Sequence, residues 1–234
     1  MLQIKIGVDS LLILVNKKQM IKNSHYTYDY FQPEEYRFSL DSVFLAQKVA
    51  KLIETEAEVA NWQVLDLCAG CGIIGLELSL HAKRRMNIDF LEVQEIYRTF
   101  FDKNKEMIYP EAESSQYRFL NLNYQKLLEE KYENTYDLIV SNPPYFFKDE
   151  GLLSPNDFKN RCRFFLDSDF KTLINAIVFA LKPNSSAYLL VRSGIHHGRS
   201  PIDEIIKILG TGGSAKVVDN VRGTDIVQIR KEIN

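Results

Sequence analysis

After Trp62, short apolar runs alternate with stretches of helical spacing, and few folds accommodate that order. Val64–Leu67, Ile88–Val93, Tyr117–Leu120, Tyr136–Ser141 and Ala187–Val191 read as strands. Ile73–His81, Gln94–Ile108, a short stretch around Gln125–Glu130 and Asp169–Leu181 read as the helices between them. The helix over Gln94–Ile108 is expected to bury Ile96, Phe100 and Met107, and Pro183 is expected to stop the one before the fifth strand. Pro201–Leu209 begins with a proline, which suits a first helical turn. Strand–helix alternation implies a mostly parallel sheet with helices on both faces. The last two strands, Lys216–Asn220 and Asp225–Ile229, have only a turn containing Gly223 between them, so they form an antiparallel hairpin. The reading is a doubly wound α/β domain over residues 39–234, whose ligand site lies outside the carboxyl ends of the strands.

Residues 1–38 differ. Leu11–Val15 and the Tyr26–Phe31 alternation suggest a small N-terminal β extension around a turn near Lys17–Lys18. From Ser39 the spacing turns helical, with Leu40, Val43, Phe44, Ala46, Val49, Ala50 and Ile53 on one stripe and Ser39 or Asp41 as the cap. The chain carries 29 Lys+Arg against 31 Asp+Glu, so it does not bind nucleic acid by bulk charge. A local basic patch remains possible. The longest apolar run near the N-terminus, Leu11–Val15, is too short to span a bilayer. Three cysteines give no disulfide framework. A cytoplasmic protein without membrane association is expected.

Two segments carry chemistry. Val64-Leu-Asp-Leu-Cys-Ala-Gly-Cys-Gly-Ile73 runs from a strand through Gly70 and Gly72 into a helix. Small residues there admit a ligand to the backbone, and the helix start offers free N–H groups. Asp66 stands at the strand end, where a carboxylate can accept from an amine. Glu92 ends the next strand, where a carboxylate can take both hydroxyls of a ribose. Cys68 and Cys71 form a Cys-x-x-Cys pair, but the second pair that zinc needs is missing. They read as small residues in a tight loop, and no metal is expected.

The second segment, Tyr136-Asp-Leu-Ile-Val-Ser-Asn-Pro-Pro-Tyr-Phe146, ends a buried strand directly in Asn142-Pro143-Pro144-Tyr145. Two prolines fix the backbone and contribute carbonyls without donors. Asn142 adds a side-chain carbonyl and Tyr145 a flat ring. That set suits a planar group bearing an NH2, with two acceptors for its hydrogens and a ring to stack on. Phe158-Lys-Asn-Arg-Cys-Arg-Phe-Phe165 interleaves Lys159, Arg161 and Arg163 with aromatics. This pattern suits single-stranded RNA, or equally a solvated helix or loop surface.

Together the glycine loop, the acidic strand end and the Asn-Pro-Pro-Tyr turn resemble class I S-adenosylmethionine-dependent methyltransferases. The turn is similar to that of enzymes methylating adenine-N6 in DNA or RNA, or the glutamine amide of release factors. Phe31-Gln-Pro-Glu-Glu-Tyr-Arg-Phe-Ser-Leu-Asp-Ser-Val-Phe-Leu-Ala46 resembles the segment before the core in bacterial tRNA1(Val) adenine-N6 methyltransferases. The resemblance continues to the terminal Arg222-Gly-Thr-Asp turn. It implies a Rossmann-like seven-stranded sheet and S-adenosylmethionine as cofactor. Asp66, Ala69, Gly70 and Gly72 would hold its methionine end and Glu92 its ribose. Asn123, standing where the family usually has Asp, would take its adenine, and Asn142 would face its methyl group. Asn142 and the Pro143 carbonyl would hold the target amine, with Tyr145 and Phe146 stacking on the base. Lys159, Arg161 and Arg163 would contact tRNA phosphates. The implied partner is tRNA, at the adenine beside the anticodon of a valine tRNA, and a monomer is expected. Glutamine-amide methylation and a catalytically silent RNA-binding fold-mate are the alternative readings.

Overall fold

β1, Trp62–Leu67, lies at the centre of a seven-stranded sheet and is buried along nearly its whole length. Burial on both faces is what a parallel strand covered by helices requires, and it explains the unbroken apolar run. In the computed structural model the described residues are 29–54, 61–112 and 115–232. The chain divides into two units, residues 1–30 and 31–234. The expected strands near the N-terminus fall outside the described residues, except that residues 29–39 contain no strand.

α1 spans Leu40–Ile53, with the Ser39 hydroxyl accepting from the Asp41 N–H at its start. Then follow β1, α2 (Ile73–His81), β2 (Met86–Glu92), α3 (Tyr97–Ile108) and β3 (Tyr117–Asn121). Two 3-10 turns, Tyr124–Leu128 and Glu130–Tyr132, stand where a short helix was expected. β4 (Tyr136–Ser141), α4 (Asp157–Arg163), α5 (Phe170–Ala180), β5 (Leu181–Arg192), α6 (Pro201–Leu209), β6 (Gly213–Val221) and β7 (Thr224–Lys231) complete the order. The strands lie as β3-β2-β1-β4-β5-β7-β6. The first five are parallel, while β7 runs antiparallel between β5 and β6. Arg222 and Gly223 both have positive φ, the two-residue turn that matches a hairpin's twist.

Two boundaries differ from expectation for physical reasons. Ile96 lies before the first turn of α3 and is 53% exposed, so the helix buries Tyr97, Phe101 and Asn104 instead of the expected stripe. Pro183 does not end α5. That helix stops at Ala180, and Pro183 lies in β5 near the register shift against β4. The strand order reverses between β1 and β4, which puts the ligand crevice at the carboxyl ends of those two strands.

Candidate active site

A cavity of about 260 Å³ opens at that crevice. Its wall is built by the loops after β1, β2, β3 and β4, together with the end of α4. After β1 the backbone takes left-handed φ at Cys68, Gly70 and Gly72. This reversal swings Ala69 and Gly70 onto the cavity wall, and the Ala69 N–H donates to the Leu91 carbonyl at 3.0 Å. Glu92 holds the loop in place. One of its carboxylate oxygens accepts from the Gly70 N–H at 3.0 Å and the other from the Gln94 N–H at 2.9 Å. Burial pushes the Glu92 carboxyl above the usual carboxylate range, and these two N–H groups pull it part of the way back. Each oxygen keeps a lone pair for a further donor.

Asp66, expected at the methionine end of the cofactor, does not reach the cavity. It is fully buried beneath the loop and is not on the cavity wall. One oxygen accepts from the Gly75 N–H at 2.8 Å, in the first turn of α2, and the other has no hydrogen bond. Its carboxyl is held well above the usual range by burial, against the Gly75 N–H and with Glu92 nearby adding to the shift. Gly72 is also off the wall. A Cβ there would lie 2.7 Å from the Phe101 ring at a φ of +83°, so this glycine lets α3 pack against the loop. Burial pushes the Cys71 thiol up to about 12 and raises that of Cys68, so both stay protonated and fill small spaces. Among the described residues no group of three or more His, Cys, Asp or Glu is placed to hold a metal ion.

Across the cavity, Asn142 follows β4. Its side-chain N–H donates to the Ser42 hydroxyl at 2.9 Å, and its carbonyl accepts from the Tyr145 hydroxyl at 2.5 Å. Ser42 is buried in α1, and the sequence reading passed over it. The available signal was a polar residue on an otherwise apolar helix stripe. Burial raises the Tyr145 phenol above its ordinary value, so it remains a donor. The Tyr145 and Phe146 N–H groups donate to the Arg163 carbonyl at 3.1 and 3.0 Å. The Phe165 N–H returns a bond to the Phe146 carbonyl.

Residues 38–152 match the methyltransferase small domain. The chain belongs to the class I S-adenosylmethionine-dependent methyltransferases. It is 32% identical over 128 residues to a tRNA1(Val) (adenine(37)-N6)-methyltransferase from Dyadobacter fermentans, covering 55% of this chain and 50% of that one. It is 33% identical over 101 residues to a release factor glutamine methyltransferase from Leptospira interrogans, covering 43% and 33%. The chain thus spans about half the length of the first relative and a third of the second. A Thermus thermophilus 16S rRNA N2 G1207 methyltransferase, solved with AdoMet and guanosine, shares the fold at a TM-score of 0.58. That match has 18% identity over 88% of this chain and 46% of that one. No helix among the described residues is long and apolar enough to cross a membrane.

For this methyltransferase the donor set fits its cofactor. Glu92 presents two held oxygens at the end of the second parallel strand, beside the Ala69–Gly70 backbone, and a diol needs such a pair of acceptors. Asn123 lines the same cavity, but its side chain is already engaged. Its carbonyl accepts from the Gln125 N–H and its N–H donates to the Asp167 carbonyl, both at 2.9 Å. Arg161, expected to contact tRNA phosphate, already has an acidic partner. It is locked to Asp167 at 2.7 and 3.0 Å on the cavity wall. Lys159 lies on α4 away from the cavity, and Arg163 lies at its edge.

Proposed function

We propose that this chain transfers the methyl group of S-adenosylmethionine to the exocyclic N6 of an adenine in tRNA, beside the anticodon of a valine tRNA. The observation that carries the reading is the fixed amide of Asn142. Ser42 takes its N–H side, so its carbonyl is the face offered at a turn whose prolines add acceptors and no donors. The likeness to the Dyadobacter enzyme supports the same acceptor.

S-adenosylmethionine supplies an electrophilic methyl group on its sulfonium. Glu92 would bind the ribose hydroxyls, and the Ala69–Gly70 backbone would lie along the methionine end. The Asn123 loop would border the adenine. Asp66 would act from beneath, by fixing the start of α2 through Gly75. The Asn142 and Pro143 carbonyls would accept the two N6 hydrogens of the target, which leaves the nitrogen lone pair to face the methyl group. An amide oxygen has two lone pairs, so the Tyr145 hydroxyl and the target amine can share it. The everted base would stack on the Tyr145 ring. Acceleration then comes from position and from fixed dipoles.

The test is methyl transfer from labelled cofactor to total tRNA and, separately, to a release factor. N6-methyladenosine in the tRNA hydrolysate is the expected product. A second reading, glutamine-amide methylation, draws on the likeness to the Leptospira enzyme, since an amide also carries an NH2. Label in the release factor and none in tRNA would establish that reading and end the first.

A further inference from the structure

The two rings that follow the Asn-Pro-Pro-Tyr turn are ringed by arginines from three separate elements. The guanidinium carbon of Arg163, in the last turn of α4, lies 5.3 Å from the centre of the Phe146 ring. That of Arg192, at the end of β5, lies 4.8 Å from the same centre. Arg199, just before α6, lies 4.2 Å from the centre of Phe147. Arg199 has carboxylates close by, Asp149 at 3.8 Å and Glu204 at 3.9 Å. Among the described residues, Arg163 and Arg192 form no ion pair with any carboxylate.

Arg192 is also held in orientation. Its Nη2 donates to Nδ1 of His196 at 3.0 Å, and the His196 Nε2–H donates to the Ser193 carbonyl at 2.7 Å. Nδ1 accepts and Nε2 donates, so the ring is held by both its nitrogens. Two like charges held against one ring repel each other unless an anion lies between them. The negative face of the ring favours the two cations at that distance and leaves guanidinium N–H groups available to an anion. Phe146 and Arg163 line the cavity with Tyr145, the ring proposed to stack on the target base, and Arg192 lines an adjoining pocket that Tyr145 also borders.

We propose that Arg163 and Arg192 form a phosphodiester clamp on Phe146 that grips the backbone flanking the everted nucleotide. The proposal rests on the nucleic-acid reading of the site. It also reassigns the basic stretch on α4. Arg161 belongs to the cofactor side through Asp167, while Arg163 joins an arginine distant in sequence.

The test compares the wild-type chain with Arg163→Gln, Arg192→Gln and the double variant. The readouts are the KM for a valine tRNA transcript and its dependence on salt. A DNA hairpin of the same loop sequence is run in parallel, because RNA and DNA share the phosphodiester. Cofactor affinity of Arg192→Gln serves as the check on folding. The double variant should raise KM about tenfold or more. It should also flatten the salt slope by on the order of 1.4, at about 0.7 per single-stranded phosphate contact. Arg163→Lys with Arg192→Lys should keep most of the slope. The same loss on the DNA hairpin supports a backbone clamp, whereas a loss on RNA alone overturns it in favour of contacts to the 2′-hydroxyl. Wild-type transfer to tRNA with KM and slope unchanged in the double variant overturns the clamp and leaves the acceptor reading intact. Absence of wild-type transfer to either nucleic acid ends that reading and the clamp with it.

Discussion

An amide side chain presents an acceptor on one edge and a donor on the other, so the orientation of Asn142 decides whether it can hold an amine. Ser42 fixes that orientation from α1. Without the serine hydroxyl the amide loses a hydrogen bond of about 1 kcal/mol and can turn its N–H into the cavity. Ser42→Ala should therefore lower the single-turnover rate by roughly fivefold or more while cofactor affinity stays unchanged, because 1 kcal/mol is about that factor. A drop in cofactor affinity equal to the drop in rate would show a general loss of structure instead. Asn142→Ala removes the acceptor itself and should cost on the order of a hundredfold in rate. Tyr145→Phe keeps the ring and removes only the donor that shares the Asn142 carbonyl. It should retain much of the activity, whereas Tyr145→Ala should raise the KM for tRNA, since base stacking contributes about 1–3 kcal/mol. Glu92→Ala strips both acceptors from the cavity wall and releases the Gly70 and Gln94 N–H groups. Calorimetry should register a loss of cofactor affinity of roughly ten- to a hundredfold, for about 1.5–3 kcal/mol in charge-assisted hydrogen bonds.

At the scale of elements, α3 shows how a helix can serve the site from its buried face. Asn104 is fully buried there. Its amide donates to the Phe31 and Cys71 carbonyls and accepts from the Phe31 N–H at 2.7 Å. It thus joins the segment before α1 to the glycine loop. Asn104→Ala leaves those backbone groups without partners and should destabilise the chain by about 2–4 kcal/mol, measured as a shift of the denaturant midpoint. This residue shows why parts of the fold were hidden in the sequence. Apolar periodicity gave α2 and β4 with their observed ends, because an apolar run against a sheet has one way to be buried. It missed the face of α3, where a buried Asn replaces an apolar residue and Ile96 lies outside the helix. It left α4 open between helix and loop. That short helix is positioned by polar contacts, with the Cys162 sulfur bonded to Gln94 and Tyr97 and the buried Asn160 bonded to the Ser154 backbone. The site was legible in the same measure. Strand ends located Glu92 and Asn142, but the Asp66 carboxylate is taken up beneath the loop by the Gly75 N–H, a partner nine residues on that no local pattern announces.

For the molecule as a whole, one carboxylate beneath the cavity and one on its wall set stability and cofactor binding on opposite slopes in pH. Asp66 is held above the ordinary carboxylate range by burial, with the Gly75 N–H opposing and Glu92 adding to the shift. Glu92 is raised by burial as well. A carboxyl with a raised folded value binds its proton more tightly in the folded chain than in the unfolded one. Its stabilisation is therefore complete below the unfolded value of about 4 and is lost as pH rises through the folded value. Asp66→Asn removes that titration and keeps an oxygen for the Gly75 N–H. Its melting temperature relative to wild type should rise from mildly acidic to neutral pH, and a difference that stays constant with pH would show that Asp66 does not titrate in the folded chain. Cofactor binding runs the other way. Ribose hydroxyls would donate to Glu92, and only its ionised form leaves both oxygens free to accept. The thermal stabilisation by S-adenosylmethionine should therefore shrink as pH falls through the raised Glu92 value. In Glu92→Gln it should be smaller at neutral pH and nearly independent of pH. A wild-type ligand shift that is flat across the same range would show that Glu92 does not govern the binding.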